Sequence, residues 1–333
     1  MLRLVQLSHP QIGRRVAVVT EPTLRPIQGV STLFDLADAA LRSGKKLSAY
    51  IDQLGFDEPL DYDSIYSQRS EWTLLPPIDH PQDSARCLVT GTGLTHKASA
   101  DNRQSMHDAT APVTDSMRMF RIGLEGGRPA PGDIGAQPEW FYKGTGSILR
   151  GHNQTLDVPN FGFDGGDEAE IAGVYFIAVD GTPHRIGLVQ SNEFSDHVLE
   201  SQNYLYLAPS KLRSCSIGPE ILIGSDLNGD LRGSITVERA GKPFWRADLR
   251  SGHPNMCHTV PNLEHHHFKY ESHRRPGDLH VHFFGADVFS FRDRVRLENH
   301  DVMVVSFDGF GRPLRNPLRI DPSPPRFVPV EVL

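Results

Sequence analysis

Asp167-Glu168-Ala169-Glu170-Ile171-Ala172-Gly173 sets two glutamates two residues apart and runs directly into the apolar stretch Val174-Tyr175-Phe176-Ile177-Ala178-Val179. β-branched and aromatic residues in that density favour a strand. In a strand, residues i and i+2 face the same side, so Glu168 and Glu170 are predicted to point together into one space. A lone E-x-E pair is ordinarily an exposed edge with its acids in water. Held close inside a fold, the two charges repel unless a proton or a cation sits between them. Hard oxygen donors with no cysteine beside them favour Mg²⁺, with Mn²⁺ or Ca²⁺ as alternatives, over zinc.

Around this stretch lies a chain of 333 residues, enough for one large domain, or a large one with a small companion. The 30 glycines and 25 prolines, set among many short apolar runs, favour turns and strands over long helices. A net charge of −7 supplies no basic footprint, which argues against nucleic acid as a partner. No apolar run is long enough to span a bilayer, and the N-terminal MLRLVQLSHPQIGRR lacks the apolar core of a signal peptide. A cytoplasmic enzyme is therefore expected. Cys87, Cys215 and Cys257 are far apart, odd in number and without C-x-x-C spacing, and read as reduced, buried thiols.

The fold class expected is α+β, mostly β. Leu2–Leu7 and Arg15–Val19 read as strands. From Ser31 to Leu54 the period turns helical, with Leu33, Leu36, Ala37, Ala40 and Leu41 on one face and Ser31 or Thr32 as the cap. The segment from Asp57 to Pro81 is polar, and Leu74-Leu75-Pro76-Pro77 within it reads as a linker. A small N-terminal α/β domain is accordingly placed at 1–78 and a larger β domain at 79–333. Within the latter, strands are predicted at Arg86–Thr90, Glu170–Val179, Ile186–Ser191, Pro219–Ile223, Gly233–Glu238, Leu279–Phe284 and Asp301–Phe307. Several are separated by Asp180-Gly181, Asn228-Gly229 and Asp308-Gly309 turns.

Further landmarks follow one another in order: Pro138-Glu139-Trp140-Phe141-Tyr142-Lys143, Gly146-Ser147, Gly151, Pro159, the Asp167–Ala172 stretch, and Ser191-Asn192-Glu193-Phe194-Ser195. Then come Lys211, Gly218-Pro219, Arg275-Pro276-Gly277-Asp278-Leu279, Gly309-Phe310-Gly311 and Leu314-Arg315-Asn316-Pro317. The series resembles the fumarylacetoacetate hydrolase superfamily, and within it a sugar-acid branch related to arabinonate-pathway proteins. That resemblance implies a β-roll or β-sandwich catalytic domain behind a smaller N-terminal one, a buried divalent-metal site and a homodimer. Carried onto this chain, it implies Glu168, Glu170 and Glu193 as metal ligands. Glu193 stands where the family's N-D-x-S motif has aspartate. It implies catalytic roles for Glu193, for Lys211 as hydrogen-bonding electrophile or general acid, and for His96. Thr95, Ser99, Lys143, Ser195, Phe284 and Gly285 are the expected substrate contacts.

A cation in such a cradle can chelate a 2-keto acid through its carboxylate and keto oxygen and acidify the neighbouring carbon. Several departures from the family pattern bear on the reaction. Aligned on Gly93-Leu94, the position of the family's water-activating histidine is Ser99, which cannot act as a base near neutral pH. Elimination needs no attacking water. His197 replaces an arginine, and Phe283-Phe284-Gly285-Ala286 replaces a G-T-P turn, which suggests a remodelled substrate end. The expected activity is Mg²⁺-dependent dehydration of a 2-keto-3-deoxypentonate to 2-oxoglutarate semialdehyde. The alternatives are hydrolysis of an acylpyruvate-type 2,4-diketo acid and non-catalytic sugar-acid binding. His265-His266-His267 reads as a solvated or dimer-facing segment, because consecutive residues point apart. His280 and His282 share one strand face, lining or merely covering the pocket. Met117, Met119 and Phe120 read as packing residues.

Overall fold

The short apolar runs assemble into two packed sheets in the computed structural model, which describes residues 1–98 and 114–333. The longer sheet runs in the order Leu60–Asp61, Thr23–Pro26, Gly13–Thr20, Leu2–His9, Cys215–Ile223, Pro183–Asn192, Ala169–Ile177, Leu279–Phe283, Cys87–Gly93, Glu139–Thr145. All neighbours along that path are antiparallel except Leu279–Phe283 against Cys87–Gly93. The second sheet runs Lys242–Ser251, Leu231–Arg239, Val302–Phe307, Leu314–Ile320, Leu156–Val158. The mostly-β α+β expectation is the fold found, and each of the seven strands predicted beyond residue 79 is present.

Alternation along Ala169–Ile177 divides the core. Ala172, Val174 and Phe176 face a cluster with Leu33, Leu36, Ala37 and Ile221. Ile171, Tyr175 and Ile177 face the opposite cluster, with Ile235, Val305, Phe307 and Leu263. The first cluster is covered by the helix Leu33–Arg42, which Thr32 caps by accepting from the Asp35 N–H. The second fills the space between the sheets. Burying side chains on both faces makes Ala169–Ile177 an entirely buried strand, so its first glutamates are carried into the interior.

Two sequence expectations change. The 74–77 linker and the polar segment before it are packed structure as well as connection. Tyr62 is fully buried, its hydroxyl donates to Glu220 Oε1 at 2.9 Å, and Thr73–Leu74 pairs with the first strand. The His265–His267 tract is not solvated: it lies on the helix Val260–Phe268, whose 3.6-residue period turns His266 and His267 inward. Hydrogen bonding between Leu2–Leu4 and Ile221–Ile223 runs across the division placed at residue 78. All three cysteines are free and buried, and Met117 and Met119 pack against Phe120.

Candidate metal centre

Ala169–Ile177 and Pro183–Asn192 form an antiparallel hairpin in which Glu170 lies opposite Ser191 and Ala169 opposite Asn192. The ladder continues one step further, because the Glu193 N–H donates to the Glu168 carbonyl at 2.8 Å. Glu168 and Glu193 are thereby held across from each other at the hairpin's open end, with Glu170 two residues along. Each of the three offers a carboxylate oxygen, and these oxygens lie within 4.8 Å of one another, buried.

Two lysines enter this cluster in different ways. Lys211 ends the short helix Leu207–Lys211 and donates to Glu168 Oε1 and Glu193 Oε2, each at 2.7 Å, and to Ser195 Oγ at 3.0 Å. Its ammonium also sits 5.0 Å from the centre of the Phe141 ring. Lys143 grips the other oxygen of Glu193 and donates to the carbonyls of Phe194 at 2.9 Å and Lys211 at 3.0 Å. His197 Nε2 lies 2.8 Å from Glu168 Oε1. Burial opposes the charge on Glu168, but Lys211 and His197 outweigh it and hold its pKa well below the ordinary value. Glu170 goes the other way. Burial and the charges of Glu193 and Glu168 push it well up, and it accepts from the Gly285 N–H at 2.7 Å. Burial and Glu168 lift Glu193 to about 7 despite its two ammonium partners.

These residues fit a divalent cation. Ligand oxygens on an octahedron of about 2.1 Å radius stand roughly 3 to 4 Å apart, within the spread of the three carboxylates. Glu170 is buried without an ammonium contact among the described residues, which is the compensation a cation supplies. Carboxylate oxygens alone favour Mg²⁺ or Mn²⁺.

No family model matches the sequence, and no curated protein matches it. Solved structures do. A 2-keto-3-deoxy-D-arabinonate dehydratase in its apo form superposes with a TM-score of 0.72 at 16% identity, covering 96% of this chain and 100% of that one. The same enzyme complexed with magnesium and 2,5-dioxopentanoate gives 0.71 at 16% identity over 96% of this chain and 99% of that one. A 2-hydroxyhepta-2,4-diene-1,7-dioate isomerase from Mycobacterium marinum gives 0.58 at 18% identity over 97% and 100% of the two chains. This is the fumarylacetoacetate hydrolase fold.

Within that fold the other expected residues take distinct places. His96 is buried beside the chain of contacts that reaches Glu170. The Thr95 hydroxyl donates to the Phe284 carbonyl at 2.6 Å, so the 2.9 Å contact to His96 must be donated by Nδ1–H, which puts the ring's basic lone pair on Nε2. Burial holds the pKa of His96 down to about 4, so the ring is neutral near pH 7. Gly285, at φ +99°, takes a backbone conformation suited to glycine and turns its N–H onto Glu170. Phe284 contributes its carbonyl here, while its ring lies in the core between the sheets with Ile171 and Leu263. Ser195 accepts from Lys211 and donates to the Glu193 carbonyl. Lys143 stands behind Glu193, its protons committed to that carboxylate and to neighbouring carbonyls. Ser99 lies outside the described residues.

His197 was read from sequence as part of a changed substrate end. In the structure it braces Glu168 instead, with its ring against Phe289 and Phe291 at centroid distances of 4.7 and 5.3 Å. His280 and His282 belong to the other face of the long sheet. They pack with His267, whose ring stacks on His282 at 4.5 Å and whose Nε2 lies 2.9 Å from His280 Nδ1. Asp167, buried and bonded by the Ser290 hydroxyl and N–H, was quoted but given no role; burial lifts it to about 6. Its fixed place at the head of the E-x-E strand was the signal.

Proposed function

We propose that the chain is a member of the fumarylacetoacetate hydrolase superfamily and a Mg²⁺-dependent hydro-lyase that dehydrates a 2-keto-3-deoxypentonate to 2-oxoglutarate semialdehyde. The observation that carries this reading is the buried trio Glu168, Glu170 and Glu193 with Lys211 bonded to two of its members. The likeness to a dehydratase solved with magnesium and 2,5-dioxopentanoate supports it, since that compound is the expected product.

Glu168, Glu170 and Glu193 would hold the ion. When bound, Mg²⁺ supplies Lewis-acid polarisation of the substrate's 2-keto group, which makes the C3 proton acidic. The protein's own residues divide the remaining work. Gly285 and Lys143 fix the directions of Glu170 and Glu193. His96, neutral and with its lone pair on Nε2, is in the protonation state that accepts the C3 proton. Lys211, donating to Glu168, Glu193 and Ser195 in a buried setting, acts as the acid that protonates the departing C4 hydroxyl. Departure of water leaves a C3=C4 double bond conjugated with the 2-keto group; loss of a C5 proton and return of a proton to C3 convert it to the C4=C5 enol, whose tautomer is the C5 aldehyde. A cytoplasmic homodimer belongs to the same proposal and rests on the resemblance alone.

The experiment is direct. Purified protein with Mg²⁺ and 2-keto-3-deoxypentonate is coupled to a semialdehyde dehydrogenase, while acylpyruvates are assayed in parallel for pyruvate release. Semialdehyde production that stops with EDTA is the expected result. Pyruvate release in its place would assign the hydrolase reaction, and tight binding without turnover of either substrate would assign a sensor.

A further inference from the structure

The segment Phe291-Arg292-Asp293-Arg294-Val295-Arg296-Leu297 sets three arginines at alternate positions, with Asp293, which accepts from the Trp245 Nε1–H at 2.9 Å, and Val295 between them. It forms one wall of a cavity of about 590 Å³, which Phe163, Asp164, Val198 and Ser201 also line. Arg292, Arg294 and Arg296 are all exposed, and none of them is in an ion pair among the described residues. Neighbouring arginines are spent differently: Arg239 pairs with Glu298 and Asp301, and Arg213 with Asp196. Three guanidiniums outside any ion pair among the described residues outnumber the one lining carboxylate, Asp164, and make an anion-attracting wall, although Arg292 also acts on Asp287. The opposite character lies beside it. Phe163 is 57% exposed, an unusual setting for a phenyl ring, and with Phe291, Val295 and Leu297 it offers flat apolar surface.

The cavity is separate from the metal centre. Phe291 packs on the His197 ring, and His197 in turn bonds Glu168, so one imidazole stands between them. An inorganic anion would leave the phenyl surface bare, and an apolar molecule would leave the guanidiniums without a counter-charge. A ligand that satisfies both carries two or more negative charges on a flat ring-bearing body, at a size the volume accommodates. We infer that this cavity binds a nucleoside phosphate, its phosphates on Arg292, Arg294 and Arg296 and its base against Phe163 and Phe291.

The test is calorimetric titration of ADP into EDTA-treated protein, so that no metal-bound nucleotide can form at the carboxylate trio. A Kd of roughly 10–100 μM is expected. The Arg292→Ala/Arg294→Ala/Arg296→Ala variant, which alters only exposed side chains, should bind at least about tenfold more weakly. Phe163→Ala should weaken ADP but not pyrophosphate, and Glu170→Gln should leave ADP binding unchanged. Unfolding curves matching wild type certify the arginine and Phe163 variants, and a cooperative transition no weaker than wild type certifies Glu170→Gln. Absence of binding heat at about 1 mM ADP, an unchanged affinity in the triple-arginine variant, or pyrophosphate or citrate binding as tightly as ADP would each overturn the inference.

Discussion

Replacing Glu170 by glutamine separates the cost of the carboxylate trio from its use. Glu170 has ligand oxygens of Glu168 and Glu193 within 4.8 Å. Two unit charges at that separation repel by about 3.5 kcal/mol at an effective dielectric near 20. Lys211 and Lys143 answer the other two carboxylates, but neither forms an ion pair with Glu170 among the described residues. Without metal, that repulsion is partly relieved by Glu170 taking up a proton, the direction in which burial and its neighbours drive it. Glu170→Gln keeps an oxygen for the Gly285 N–H and removes the charge, so the metal-free protein should gain roughly 1–3 kcal/mol of stability. With Mg²⁺ present at high saturation the order reverses. Wild type gains about 4.1 kcal/mol at a thousandfold excess over Kd, and the variant, short of one anionic ligand, gains little.

Chemical denaturation in EDTA and again in saturating MgCl₂ reads both halves in one experiment. The crossing of the two stability orders is the expected signature. An equal Mg²⁺ stabilisation in wild type and variant would show that Glu170 is no ligand. A variant clearly weaker than wild type in EDTA would show that the Glu170 charge is already satisfied inside the protein, and the electrostatic reasoning would fall.

Three further expectations are independent of that one. Lys211→Met should lower kcat by about 10²–10⁴-fold while the Mg²⁺-dependent stabilisation persists, measured by the coupled assay and by unfolding with and without metal. Gly285→Ala should destabilise by roughly 3 kcal/mol and weaken Mg²⁺ binding, because a Cβ there would lie 2.0 Å from Thr95 Oγ1 at φ +99° and would displace the N–H that aims Glu170; calorimetry and denaturation report the two effects. The protein should also lose stability in mild acid. Burial holds His280 and His282 down to about 3, against an ordinary 6.5. The unfolded chain therefore binds protons that the folded one refuses as pH falls below about 6.5. Each histidine removes about 1.4 kcal/mol per pH unit from there towards pH 3, and His282→Asn should flatten the measured slope between pH 6 and 4 by about that amount.

How much of this was legible in sequence depended on how local each signal was. The parity of Glu168 and Glu170 is a property of one strand, so their shared direction could be read without a fold, as could the helix capped by Thr32. Glu193 came from a motif of three residues. The bond from Lys143 to Glu193 joins residues 50 apart in sequence, and nothing near Lys143 distinguishes a lysine that grips a carboxylate from one that greets a substrate. The histidine layer was misread for the same reason. His267 meets His280 and His282 only because the helix Val260–Phe268 docks on the strand Leu279–Phe283, and consecutive imidazoles give no hint of that docking. The strand Lys242–Ser251 escaped notice because it is a largely exposed sheet edge, where burial leaves little apolar pattern.

The hairpin that carries the trio works against its own pairing. Glutamates facing each other across an antiparallel pair are destabilising, and the Glu193 N–H to Glu168 carbonyl bond fixes them there. The two lysines that compensate are not equivalent. Lys143 divides its donors among one carboxylate and the carbonyls of Phe194 and Lys211, so it ties the backbone on both sides of the site and has no freedom to leave. Lys211 donates to the side-chain oxygens of Glu168, Glu193 and Ser195, and each of those acceptors can be shared with an incoming ligand. Charge is thus held statically by one lysine and in exchangeable form by the other, while Glu170 remains the carboxylate with no ammonium contact. A fold built only for stability would neutralise all three. This one leaves Glu170, without an ammonium contact among the described residues, beside the buried Lys211 ammonium, the arrangement that the proposed cation site and general acid would use.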